Sequence, residues 1–159
     1  MSNRVEHPSY YQGKNGIEAI EVIRHYTCDI SNAMKYLMRA GRKSEHGMSD
    51  IEKEFEDLRK ARFYIDDFIF VGSRMRGEAP FVSKEKIADM VNESTGHSVD
   101  EIVGSCYEEN ASRAIEYLLE VGLVHNGMMY MCEDWMSSLK AARFFVSNRM
   151  MKIFTCDIV

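Results

Sequence analysis

The stretch V-I-R-H-Y-T-C-D-I-S-N-A-M-K-Y-L-M-R-A-G-R-K (22–43) occurs twice in this chain. Its second copy is V-G-S-C-Y-E-E-N-A-S-R-A-I-E-Y-L-L-E-V-G-L-V (103–124), 81 positions later. The alignment runs without a gap to residues 64 and 145, where Leu58, Ala61, Arg62 and Phe63 match Leu139, Ala142, Arg143 and Phe144. Within the quoted stretches Val22, Tyr26, Ser31, Ala33, Tyr36, Leu37 and Gly41 match Val103, Tyr107, Ser112, Ala114, Tyr117, Leu118 and Gly122. These positions are mostly apolar or small, the set that packs helices against one another. The positions that change are polar and basic. Asn32, Lys35, Arg39, Arg42, Lys43 and Lys60 face Arg113, Glu116, Glu120, Leu123, Val124 and Ala141. Cations that only solubilise a helix drift in charge freely. Cations that bind an anion make the first copy the working site and the second a scaffold.

Working outward, helical spacing covers most of the chain. Ile17, Ile20, Val22 and Ile23 follow Gly16, and the next helix runs to about Arg39 with Gly41 as its stop. A polar loop over 42–49 leads to a longer helix at about 51–72, capped by Ser49 or Asp50. Helices are expected at about 84–94, from about 98, over 110–121 and over 133–151. Asn126-Gly127, between Leu123-Val124 and Met128-Tyr130, is a hairpin signal. A repeat of this length exceeds a solenoid unit. The expected fold is therefore mainly all-α, a helical bundle built by internal duplication with one small β-hairpin near 123–131. Residues 1–72 form a basic, nucleotide-binding half, 73–82 a linker, and 83–159 a degenerate second half that serves as scaffold or oligomer interface.

The bulk numbers set limits. The chain has 159 residues and a formal net charge of −5, which argues against a general nucleic-acid coat. Charge is unevenly spread: residues 1–81 hold 13 basic and 13 acidic side chains, whereas 82–159 hold 7 and 12. Any cationic function therefore lies in the first half. The four cysteines form no C-x-x-C pair, which fits a reduced, cytoplasmic setting better than a disulfide framework. The polar start, Met1 to Tyr11, carries no signal-peptide apolar core, and no apolar run suits a membrane span. The histidines have no ligand-like spacing, so no metal site is expected from them.

In the first half, Lys35 and Arg39 share one helix face, Arg42 and Lys43 follow the helix end, and Lys60 comes from the next helix with Tyr64 one turn on. Such cations suit a phosphate, Arg by bidentate hydrogen bonds and Lys as a point charge. Tyr10, Tyr11, Tyr36 and Tyr64 suit a base. His7 and Asn32 add hydrogen bonds.

These residues also carry a resemblance. H-P-S-Y-Y (7–11), G-I-E-A-I-E-V-I (16–23), N-A-M-K-Y-L-M-R-A-G-R-K (32–43) and E-D-L-R-K-A-R-F-Y (56–64) resemble a small phage-encoded family. One member, from a lytic coliphage, is a deoxynucleoside monophosphate kinase. The resemblance spans about residues 7–70. It falls on His7, Tyr11, Glu18, Glu21, Asn32, Lys35, Tyr36, Arg39, Gly41, Lys43, Asp57, Lys60 and Tyr64. The chain departs from the pattern in its paired Tyr10-Tyr11, its short interval before Asn32 and its degenerate second copy. The resemblance implies a nucleotide ligand, a host-cytoplasmic location and, together with the methionines and aromatics, a homo-oligomer.

The chain has no G-x-x-x-x-G-K-[ST] loop, so phosphoryl transfer here would rest on Arg and Lys clamps: Arg39 and Lys60 as charge stabilisers, with Asp57 orienting one of them or acting as base. Sequestration of a nucleotide, including a host immune signal, needs the same cations without turnover. Two other readings stand. Glu18-x-x-Glu21 with Glu54-x-x-Asp57 resembles the carboxylate layout of all-α nucleotide pyrophosphatases, with Mg²⁺ as cofactor. Residues 83–131 resemble a winged helix, a DNA- or protein-interaction module, although Glu108, Glu109, Glu116 and Glu120 would repel phosphate.

Overall fold

The computed structural model describes residues 6–72 and 80–156. Most of the expected linker, 73–79, lies outside them. A short 3-10 turn, Ser9–Tyr11, sits in the N-terminal arm. Seven α-helices follow among the described residues: α1 Ala19–Ile23, α2 Cys28–Arg39, α3 Asp50–Gly72, α4 Lys84–Thr95, α5 Val99–Gly104, α6 Glu109–Leu118 and α7 Trp135–Cys156. Three strands, β1 Phe81–Val82, β2 Val121–His125 and β3 Met128–Cys132, form one sheet in the order β1-β3-β2. The fold is thus mainly helical with one small sheet.

Local sequence explains most boundaries. Ser49 opens α3 with a capping box, accepting from the Glu52 N–H (3.2 Å) while its own N–H donates to Glu52 (2.7 Å). Ser83 caps α4 by accepting from the Lys86 N–H. α2 begins at Cys28 after Thr27, an N-cap that makes no side-chain cap bond, and Asp29, Ser31 and Asn32 lie inside the helix. Asn126 and Gly127 both have positive φ, 50° and 76°, the conformation that a tight hairpin turn requires. The two-residue β1 has no sequence signal of its own. It pairs in parallel with the end of β3.

The duplication is visible in three dimensions. α2 with α3, and α6 with α7, form two helical hairpins. α3 packs antiparallel on α7, and α2 touches α6. Glu54 meets Arg149 (2.7 and 3.1 Å). The positions related to them by the repeat, Trp135 and Phe68, also meet, edge to face at 6.3 Å. The same reciprocity links Tyr26–Leu123, a β-bridge, with Arg42–Tyr107, a cation over a ring at 3.9 Å. Pairs that recur under exchange of the halves define a pseudo-twofold axis between α3 and α7. One core spans both halves, including Ile30, Leu58, Ile65, Ile115, Leu118 and Leu139. The halves part company at residues 40–51 and 121–132. Leu123 and Val124 build a hairpin in the second copy, where Arg42 and Lys43 leave a loop in the first.

Candidate functional site

The site lies on the outer groove between α2 and α3. Tyr36 and Tyr64 stack there, with ring centroids 6.0 Å apart and planes 10° apart. Three cations surround Tyr36: Lys35 Nζ at 4.6 Å, Arg39 Cζ at 4.7 Å and Lys60 Nζ at 5.6 Å from its ring centroid. The second half keeps the stack, Tyr117 on Phe145 at 6.1 Å and 16°. Glu116, Glu120 and Ala141 stand there at the positions of the cations. The aromatic frame is therefore common to both copies, and the positive charge belongs to the first alone.

The three cations differ in how free they are. Arg39 is 8% exposed. It donates through Nε (3.2 Å) and Nη2 (2.9 Å) to both oxygens of Asp57 and through Nη1 to the Tyr11 hydroxyl (2.9 Å). Asp57 is fully buried and therefore orients Arg39 without facing the groove. Lys60 makes a close ion pair with Glu56. Hydrogen bonds from Lys60 and Lys53 pull the Glu56 carboxyl down to about 2. Lys35 donates only to the amide oxygen of Asn32 (3.1 Å), and Asn32 is anchored by donating to the Cys28 carbonyl (2.9 Å). Lys35 thus carries the least compensated charge of the three.

Lys53 belongs to this network, and sequence reasoning missed it. Its amine lies 2.9 Å from Glu45, 3.0 Å from Glu56 and 3.5 Å from Asp57, with the residue only 2% exposed. Burial opposes its charge. The hydrogen bonds it donates to Glu45 and Glu56, with the nearby Asp57 charge, outweigh that and raise its pKa. A lysine among charged neighbours reads as surface in sequence. The available signal was the absence of a basic residue at the matching position, Asp134.

Beside the cations a cavity of about 250 Å³ opens, lined by His7, Tyr11, Glu18, Ile20, Ile23 and Lys35 among others. Its lining mixes apolar side chains, Ala19, Ile20 and Ile23, with polar and charged ones. His7 Nδ1 lies 2.8 and 3.0 Å from the two Glu18 oxygens, and this hydrogen bond raises the imidazole pKa. Burial raises the Tyr11 hydroxyl. Lys35, Tyr36, Arg39, Lys60, Tyr64, Asn32, His7 and Tyr11 therefore fall in one region.

Arg42 and Lys43 do not. Arg42 donates to the carbonyls of Ser9 (3.0 Å), Tyr10 (3.4 Å) and, closely, Gln12, which clamps the arm. Lys43 sits over Tyr10 at 5.6 Å. The expected single cluster of five cations is two groups.

The carboxylate layout does not converge either. Glu21 accepts from the Glu18 N–H (2.6 Å) and meets His97 (3.2 Å). Glu54 pairs with Arg149 and Asp57 with Arg39. Among the described residues, no group of three or more His, Cys, Asp or Glu is placed to hold a metal ion. Residues 83–131 form helices followed by the hairpin, but the would-be recognition helix α6 packs against α7 and α2. No helix among the described residues is long and apolar enough to cross a membrane.

Comparison with known proteins points to phages. Residues 5–66 match a family described as proteins of unknown function, DUF3310. The chain is similar to the Gene 1.7 protein of Enterobacteria phage T3, 41% identical over 75 residues, which is 43% of this chain and 43% of that protein. The chain therefore spans less than half of that relative's length. No solved structure matches. The similarity supports a small phage-encoded family, and neither description speaks of a kinase.

Proposed function

We propose that the first half binds a nucleotide, with its phosphate between Lys35 and Lys60 at the Tyr36 ring and its base in the neighbouring cavity. The observation that carries this reading is the ring of three cations around a stacked tyrosine, set against the same stack without cations in the second half. A phosphate gains from charge-assisted hydrogen bonds, and among the described residues Lys35 donates to the neutral amide of Asn32. A base gains from aromatic contact and from leaving water for the apolar side chains of the lining. Arg39 supports the site from behind, through Tyr11 and beneath Tyr36. The second half is scaffold.

The geometry favours binding over chemistry. Asp57 is buried against Arg39 and Lys53 and has no path to a substrate proton, while Glu56 is held by Lys60 and Lys53 and Glu18 by His7. Phosphoryl transfer is the second reading. It is favoured by the resemblance of residues 7–70 to a family with a deoxynucleoside monophosphate kinase, and it would use Arg39 and Lys60 as clamps. Titration calorimetry with mono-, di-, tri- and cyclic nucleotides, followed by recovery of the ligand, tests both. Ligand recovered intact supports sequestration, and a changed phosphate number supports transfer. No binding by any nucleotide would end the reading.

A further inference from the structure

The second group of cations forms no direct ion pair among the described residues, although Glu45 feels Lys43 electrostatically there. Arg39 and Lys60 are paired with Asp57 and Glu56. Lys14, Arg42 and Lys43 take part in none of the ion pairs among the described residues; Arg42 instead bonds neutral carbonyls. All three gather on rings. Arg42 Cζ lies 3.9 Å and Lys14 Nζ 5.8 Å from the centroid of Tyr107, and Lys43 lies over Tyr10. Tyr107 comes from the second half and is 49% exposed. Its repeat partner Tyr26 is buried and donates to the Leu119 carbonyl. The ring is therefore not in the core that its position would give it.

The seam is built. The Lys14 N–H donates to the Ser105 carbonyl (3.0 Å), and Asn15 donates to the Glu101 carbonyl (2.9 Å). Gly13 presses so close that a Cβ there would meet Ser105 Cβ at 2.6 Å. Like charges held together without a directly paired anion repel one another, so a fixed cluster of them is a place for one. Cations beside exposed rings are the combination that holds a phosphate and stacks a base. The cluster also adjoins the first site: Tyr10 lies 4.7 Å from Tyr11, whose hydroxyl bonds Arg39.

We propose that Lys14, Arg42, Lys43, Tyr10 and Tyr107 form a second site, which takes a second phosphate-bearing aromatic unit, so that the protein holds two nucleotide units side by side. The identity of the first unit rests on the nucleotide reading of the Tyr36 site. The second site stands on its own charges.

The test is calorimetric titration with a 5′-phosphorylated dinucleotide and with the matching mononucleotides. Wild type, Lys14→Ala/Tyr107→Ala and Lys35→Ala are compared, with Lys43→Glu as a second variant of the seam. The substituted seam residues lie outside the core, and melting curves of the variants verify folding. The dinucleotide is expected to bind roughly tenfold or more tighter than either mononucleotide, a gain confined to chains with the seam intact. Two unlinked mononucleotides per chain, reduced to one by the seam variants, would support the site with separate ligands. Dinucleotide binding no tighter than mononucleotide binding, at one ligand per chain, would overturn the second site and leave the Tyr36 reading standing. Dinucleotide binding lost in the seam variants but kept in Lys35→Ala would support the second site and overturn the first. No binding of any probe would overturn both.

Discussion

Asp29 in α2 and Asp67 in α3 share a hydrogen bond, and burial with that contact pushes the Asp29 carboxyl up to about 6. The matching pair in the second half is neutral: Asn148 donates to Asn110 at 2.8 Å. A folded pKa raised above the ordinary 3.8 means that the folded chain binds the extra proton. That contribution is full below the ordinary value and is lost as the pH rises through about 6. Asp29→Asn is therefore expected to raise the melting temperature relative to wild type at about pH 7.5 and to gain less at about pH 5. Equal shifts at both would contradict it. The Arg39–Asp57 pair predicts the opposite sign. Asp57→Asn leaves Arg39 buried without its anion, removes the most distant of three carboxylates from Lys53, and should cost about 3–5 kcal/mol in urea unfolding. A loss below about 1 kcal/mol would refute that account. The residues legible in sequence were those whose charge the repeat contradicts, Lys35, Arg39 and Lys60. Arg42 was misplaced because its role depends on where the arm lies, and Lys53 was hidden because a buried lysine needs partners that only the fold assembles.

Helices carry the regular part of the design, and glycines end them. Gly41 follows the end of α2, and Gly122 holds the matching position inside β2; their φ are +77° and +74°. Their surroundings differ. A Cβ at Gly41 would meet Glu54 at an ordinary 3.4 Å, whereas at Gly122 it would meet Thr27 Oγ1 at 2.6 Å and Ile30 at 3.0 Å. There β2 is pressed onto the first half, with the Thr27 N–H donating to the Gly122 carbonyl (2.9 Å) and the Val124 N–H to that of His25 (2.7 Å). Gly41→Ala is expected to cost about 1 kcal/mol, and Gly122→Ala at least about 2, read from chemical denaturation. Equal losses would show that the contact relaxes freely. α2, α3, α4, α6, α7 and the hairpin were readable from period and caps. The strand β1 was not, because its pairing is set entirely by β3.

Across the whole molecule the halves share one core and exchange contacts. Tyr26 donates to the Leu119 carbonyl across them (2.9 Å), and Glu54 pairs with Arg149. Residues 1–72 alone would expose Leu58, Ala61 and Ile65, all buried in the intact chain. That fragment is expected to lack a cooperative thermal transition by circular dichroism, while the full chain unfolds in one step. A cooperative fragment would make the second half an addition rather than a scaffold. The same symmetry frames the central claim, since the second copy keeps the aromatic stack and lacks the cations of the first. Lys35→Glu/Lys60→Ala rewrites the first groove to the residues of the second, Glu116 and Ala141, at positions outside the core. The direct measurement is nucleotide binding by this variant and by wild type in titration calorimetry. Wild-type binding that falls at least roughly a hundredfold in a variant with unchanged melting is the predicted result. Binding that survives the exchange would contradict the assignment of the Tyr36 groove.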